Sequence, residues 1–218
     1  MNQILCIFSW SGEETEVFMG YRIIAINREF ESAGSEIAQA AATRLGLPYY
    51  DKFLIEHAAE QVGIDASLVA ATEEKLASRF EYSQAEAAFF YTTEESPLPT
   101  GARVAEVQFE LIKKLAEEGP CVIVGRCANY VLQDRDDVLD IFVHAGLDYR
   151  LERTMASLNL PKRKALRVLR RTDKARKAYY NNYTGLDWND MDLYHMILNP
   201  DKLSIDTCVD VICSLYQS

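Results

Sequence analysis

Three groups of residues in this sequence have the types and spacing to hold an anion. The first is the run Arg28-Glu29-Phe30-Glu31-Ser32-Ala33-Gly34-Ser35-Glu36. It lies between a short apolar run, Ile23 to Ile26, and apolar residues at helical spacing, Ile37, Ala40, Ala41, Leu45 and Leu47. A strand, a small-residue loop and a helix start together present unpaired N–H groups to phosphate oxygens. An ordinary turn between strand and helix reads the same way, so the charge brought to the loop must decide. The second group is Gly125-Arg126, which closes the apolar run Cys121 to Val124. The third is the segment Arg150 to Lys177, with eleven of the 23 basic residues against two acids, Glu152 and Asp173, a net +9 in a chain of net −10. Arg163, Arg167, Arg170, Lys174 and Lys177 follow steps of four and three and share one helix face. Asp173 stands three residues from both Arg170 and Arg176, where a carboxylate fixes guanidinium orientation. Arginine suits phosphate because its planar fork gives paired, charge-assisted bonds. The segment reads as a clamp on polyphosphate, as a solvated helix face paired with acids elsewhere, or as a nucleic-acid face.

The loop departs from the usual phosphate-loop pattern GxxxxGK[ST], whose lysine serves the β- and γ-phosphates and whose hydroxyl serves magnesium. Gly34 is followed by Ser35 and Glu36, no lysine is present, and Glu29, Glu31 and Glu36 add negative charge. The cation must then come from Arg28 or from the basic segment. Glu36 stands where the hydroxyl would be and is a candidate magnesium ligand. The alternative is a first-turn glutamate that favours the helix dipole.

These groups need a scaffold. At 218 residues, 49% hydrophobic and 26% charged, the chain can build one sizeable α/β core. Its net charge of −10 argues against a general nucleic-acid or anionic-membrane binder, and no apolar run has the length of a membrane helix. Five cysteines, Cys6, Cys121, Cys127, Cys208 and Cys213, without a CxxC pair, and three scattered histidines indicate a reduced, cytoplasmic protein without structural zinc. Residues 1–20 do not match the pattern of the rest of the chain. They form an added edge strand or an extension from an upstream start, Met19 standing just before the first strand. Helical patterning is expected over Lys52 to Gln61 and, with Asp65 as N-cap, Ser67 to Ser78, then an aromatic cluster of Phe80, Tyr82, Phe89, Phe90 and Tyr91 that serves local packing. Further elements are a helix from Thr100 to Gly119, strands Cys121 to Val124 and Leu139 to Val143, and a helix from Asp148 to Ser157. Another helix opens at Pro161, a last strand runs from Tyr194 to Leu198, and a helix starts at Ser204. Alternating strands and helices imply a mostly parallel sheet covered on both faces, with ligands at the carboxyl ends of its strands. Arg28 to Glu36, Asp51 and Gly125-Arg126 then meet at one edge.

Together these residues resemble the cytidylate kinase-like family of P-loop nucleoside monophosphate kinases, over about Tyr21 to Tyr216. The resemblance is carried by REFESAGSEIAQAAATRLGLPYYDKFLIEHAA, by CVIVGRCANYVL, its most specific part, and by DKARKAYYNNYTGLDWNDMDLYHMILNPDKLSID. It implies a three-layer α/β/α P-loop kinase fold with a central parallel sheet and a mobile helical lid, residues 21–218 forming one domain with the lid at approximately 150–190. It also implies that Ser32, Ala33, Gly34, Ser35 and Glu36 hold ATP phosphates, beside Arg28, which the loop's own charge balance already marks as a cofactor-binding candidate. Asp51, His57 and Arg126 would address the acceptor, and Arg126, Arg170, Asp173 and Arg176 would act on the transferring group. Family loops resemble GSGGRE where this chain has Glu31-Ser32-Ala33-Gly34-Ser35-Glu36. Cytidylate kinases carry lysine at Ser35, arginine near His57 and aspartate at Val124.

The expected function is an ATP- and magnesium-dependent kinase of a nucleoside monophosphate, cytidylate-like, or a similar small phosphate acceptor. The missing loop lysine favours an alternative, a degenerate nucleotide-binding pseudokinase acting as sensor or interaction module. The acidic net charge disfavours a third, an RNA-associated protein. The sequence leaves the oligomeric state open.

Overall fold

The computed structural model describes residues 20–51 and 100–217, with the backbone alone at 100–104 and 107. The expected helices between Lys52 and Ser78, the aromatic cluster, His57, Cys6 and the segment before residue 20 lie outside the described residues.

Five strands form one parallel sheet in the order β2-β3-β1-β4-β5. They are β1 (Ile23–Arg28), β2 (Tyr49–Tyr50), β3 (Cys121–Val124), β4 (Val138–Val143) and β5 (Met196–Leu198). The central strands are apolar on both faces because helices cover both, as parallel sheets require. Ile24, Ile26, Val122, Val124, Leu139, Ile141 and Val143 pack on one side against α1 (Gly34–Leu45) and α6 (Ile205–Tyr216). Ile23, Ala25, Cys121, Ile123 and Val138 pack on the other against α2 (Thr100–Glu118) and the short α3 (Ala128–Val131). A third, aromatic core joins Phe142, Tyr180, Trp188 and Tyr194 to Cys127.

The remaining helices, α4 (Leu147–Leu158) and α5 (Lys162–Thr184), follow β4. Leu151, Ala165 and Leu169 bury their contact, and Phe30 of the first loop packs into it. α5 begins at Lys162, one residue later than expected, with Pro161 at its N-cap position. Two strand limits also differ. β1 runs on through Asn27 and Arg28, which pair in register with Phe142 and Val143, and the Asn27 amide is satisfied by Asn129 Oδ1 at 2.9 Å. At the other edge β5 begins only at Met196, because Tyr194 turns into the aromatic core and donates its hydroxyl to the Trp188 carbonyl at 2.9 Å.

Candidate functional site

The carboxyl ends of β1 and β3 deliver the loop and Gly125-Arg126 to one place, since Ile26 lies beside Val124 in register. The loop is fixed from inside. Ser32 is fully buried, and its hydroxyl sits between the carbonyls of Glu29, at 2.9 Å, and Val143, at 3.0 Å. It therefore ties the loop to β4 and does not face solvent as a phosphate donor. Glu31 and Ala33 have φ of 55° and 64°, left-handed values that glycine adopts without strain. These are the two positions where the family pattern has glycine and this chain does not. Ala33 leads into α1 without a side-chain cap, so the first N–H groups of that helix rely on other acceptors. Ser35 and Glu36 are exposed at its first turn.

Arg28 ends β1 and lies across this corner. A Cβ built on Gly34 would come 2.5 Å from Arg28 Cβ, and one on Gly125 would overlap Arg28 Nη1 and stand 3.5 Å from Cζ. Burial, then the charge of Arg176, pulls the Arg28 pKa well below the ordinary arginine value; Arg126 acts the same way, and Tyr49 and Asp51 oppose it. The guanidinium keeps its proton nonetheless, because its intrinsic basicity is so high. Gly125, Arg126 and Cys127 are all left-handed, with φ of 78°, 53° and 58°. This tight turn sets the Arg126 guanidinium over the Tyr179 ring at 5.1 Å. Arg176 donates to the Arg28 carbonyl at 2.9 Å and lies over the Phe30 ring. Three arginines from three elements thus converge beside the loop, with Asp51 at the end of β2 as a nearby acid.

The α4–α5 pair is fastened to the loop through residues that the spacing argument passes over. Arg150 lies 3.3 Å from Glu29 and 2.5 Å from Asp173. Arg153 bonds Glu36 at 2.5 Å and lies 3.6 Å from Glu31, whose carboxylate also accepts from Ser157 at 2.9 Å. The Arg150-x-x-Arg153 spacing was the available signal, but it precedes the longer stripe on α5. Asp173 does not orient Arg170 and Arg176 as its spacing suggested: its carboxylate accepts from Arg150 and from the Phe30 N–H at 2.7 Å. Arg170 is exposed with Arg163, Arg167 and Lys174, whereas Asp173 and Arg176 are partly buried. Burial raises the Glu29 pKa, and the nearby Arg150 charge offsets part of this.

Among the described residues no three His, Cys, Asp or Glu side chains gather as a metal site. Glu36 is half exposed and paired with Arg153. Among the described residues Glu36 is therefore a lone carboxylate, which could share magnesium only with a ligand's phosphates. No helix among the described residues is long and apolar enough to cross a membrane.

The pattern of the cytidylate kinase-like family matches residues 23–202. The chain belongs to this family. A cytidylate kinase of Pyrococcus horikoshii is 34% identical over 41% of this chain and 45% of its own length. Another, of Staphylothermus marinus, is 25% identical over 49% of this chain and 61% of its own. The chain thus spans less than two thirds of these curated relatives. Among solved structures, an uncharacterized protein of Eubacterium ventriosum superposes with TM-score 0.68 at 27% identity, covering 90% of this chain and 98% of that one. Shikimate kinase of Bacteroides thetaiotaomicron, at TM-score 0.51 and 15% identity over 90% of this chain and 98% of its own, shares the fold. The three-layer P-loop kinase architecture implied by the sequence is therefore the one the chain adopts.

Proposed function

We propose that this family member transfers a phosphoryl group from ATP to a nucleoside monophosphate, with cytidylate the first acceptor to try. The observation that carries the reading is the convergence of Arg28, Arg126 and Arg176 beside a strand–loop–helix corner. Phosphoryl transfer asks a protein chiefly for positioning and for cationic groups around the transferring oxygens. A phosphate oxygen of the acceptor attacks the γ-phosphorus, the bond to the β–γ bridging oxygen breaks, and ADP leaves. Arg126 and Asp51 sit on the acceptor side, and the first turn of α1 on the donor side. Magnesium, arriving on the donor's phosphates, would supply further positive charge there.

A second reading has its own support. Glu31 occupies a loop position where the family pattern has glycine and Ser35 one where it has a basic residue, and Glu31 and Glu36 both engage Arg153. A cleft so built suits a nucleotide sensor that turns over slowly or not at all. A coupled assay of ADP release with cytidylate, uridylate and adenylate, run beside a thermal-shift panel of nucleotides, separates the two. Turnover with any monophosphate supports the kinase; a melting shift with ATP and no turnover supports the sensor. Neither result, at millimolar nucleotide, removes both.

A further inference from the structure

We propose that Arg28 supplies, from the end of β1, the cation that the phosphate loop lacks at Ser35, its guanidinium meeting the γ-phosphoryl group where α1 and the β3 end converge. This rests on the phosphoryl-transfer reading above.

The seat of Arg28 supports it. Its stem crosses the first residue of α1, where a Cβ on Gly34 would come 2.5 Å from Arg28 Cβ and 3.0 Å from Cγ. Its head reaches Gly125, where any Cβ would overlap Nη1. Two glycines on separate elements thus leave room for one side chain. The same residue is bound through its carbonyl to Arg176, so the seat fixes a second guanidinium as well. Arg28 Nε is buried without a hydrogen-bond acceptor among the described residues. A desolvated guanidinium beside two like charges is costly unless an anion joins it. Asp51 and Tyr49 face it from β2 and its end and offset part of that charge. The rival role for Arg28 is as a structural partner of Asp51. A γ-phosphate, with oxygens spread around one phosphorus, meets all three arginines at once. The usual loop lysine reaches the phosphates from the helix start; here the strand reaches them from the opposite wall of the corner.

The test compares ATP and ADP binding by calorimetry in the full chain and in Arg28→Met, Arg28→Lys and Gly125→Ala, with each variant's ligand-free melting temperature measured alongside. The wild type should prefer ATP. Arg28→Met should lose about tenfold or more in ATP affinity, the worth of one charged hydrogen bond, and much less for ADP. Arg28→Lys should recover part of the loss. Gly125→Ala, which crowds the guanidinium without removing it, should weaken ATP in the same direction and carries the test with Arg28→Lys should Arg28→Met fail to fold. Equal loss for ATP and ADP with a fallen melting temperature makes Arg28 structural and overturns the proposal, as does unchanged ATP binding in Arg28→Met. A wild type that binds neither nucleotide overturns the parent reading, and this one with it.

Discussion

Arg150 and Asp173 meet at 2.5 Å with side chains only 8% and 19% exposed, and the other Asp173 oxygen accepts the Phe30 N–H. One ion pair therefore joins α4, α5 and the first loop. Removing one partner leaves the other buried and uncompensated, which is worse than never having buried the pair. Asp173→Asn should cost about 2–4 kcal/mol of folding stability on those grounds. Denaturant unfolding checks this. A loss below about 1 kcal/mol, the range of exposed pairs, would mean that water reaches the pair.

Glu31 holds a left-handed φ of 55° against the preference of an L-residue, and contacts to Ser157 and Arg153 hold it there. Glu31→Gly should relieve about 1 kcal/mol of backbone strain while losing those contacts, leaving stability nearly unchanged. It also removes a negative charge from the loop. Nucleotide affinity should rise about threefold to tenfold at low salt, and the gain should shrink as salt screens it. Calorimetry at two ionic strengths decides; no gain at low salt would show that the Glu31 charge does not bear on the ligand.

The reach of the sequence is clearest at these two residues. Continuous apolar runs such as Cys121–Val124 announce buried parallel strands, and the loop followed by Gly34 announces the helix start. The family resemblance adds where glycine belongs, and the positive φ at Glu31 and Ala33 explains why. What local pattern does not carry is the partner of a charge. Asp173 stands at helical spacing from Arg170 and Arg176, yet Arg150 reaches it across 23 residues and Phe30 across 143. Steps of three and four identify which residues share a helix face, but not whether that face turns to solvent. The stripe from Arg163 to Lys174 is the solvated one, and the residues of α5 that meet the first loop are the less regular pair Asp173 and Arg176.

Asp140 sits on β4 between Ala25 of β1 and the start of β5, with Oδ1 buried and without a hydrogen-bond partner among the described residues. Tyr180 and Tyr194 face it, and His195 Nδ1 lies 3.9 Å from Oδ2. Burial raises its pKa from 3.8 to about 7. The folded state then holds a proton that the unfolded state releases, so stability falls as pH rises from about 4 to about 7 and is level above. A tenfold change in proton affinity is worth about 1.4 kcal/mol. Asp140→Asn should stabilise the protein at pH 8 by about 1–2 kcal/mol, well short of the full difference because nearby polar groups relax, and should change little at pH 4. Melting temperatures at both pH values test this; equal shifts at both would place the effect in packing and not in the charge.

Arg176 and Arg170 separate the roles within α5. Arg176 bonds the Arg28 carbonyl and stacks on Phe30, so it stands at the corner where the transferring group would pass. Arg170 is exposed. In a working kinase, Arg176→Ala should lower turnover by about 10²–10³-fold, as expected of an arginine that meets charge developed in the transition state. It should weaken ATP binding by no more than about fivefold, because that charge is not present in the ground state. Arg170→Ala should stay within about threefold of wild type in both, as solvated surface positions do. Steady-state kinetics with ATP affinities measured separately distinguishes the two. Equal losses of binding and turnover in Arg176→Ala would make it a ground-state phosphate clamp. An Arg170→Ala defect as deep as that of Arg176→Ala would mean that α5 turns its outer face inward when nucleotide binds. Arg163 and Arg167, which share that face, should then show the same defect.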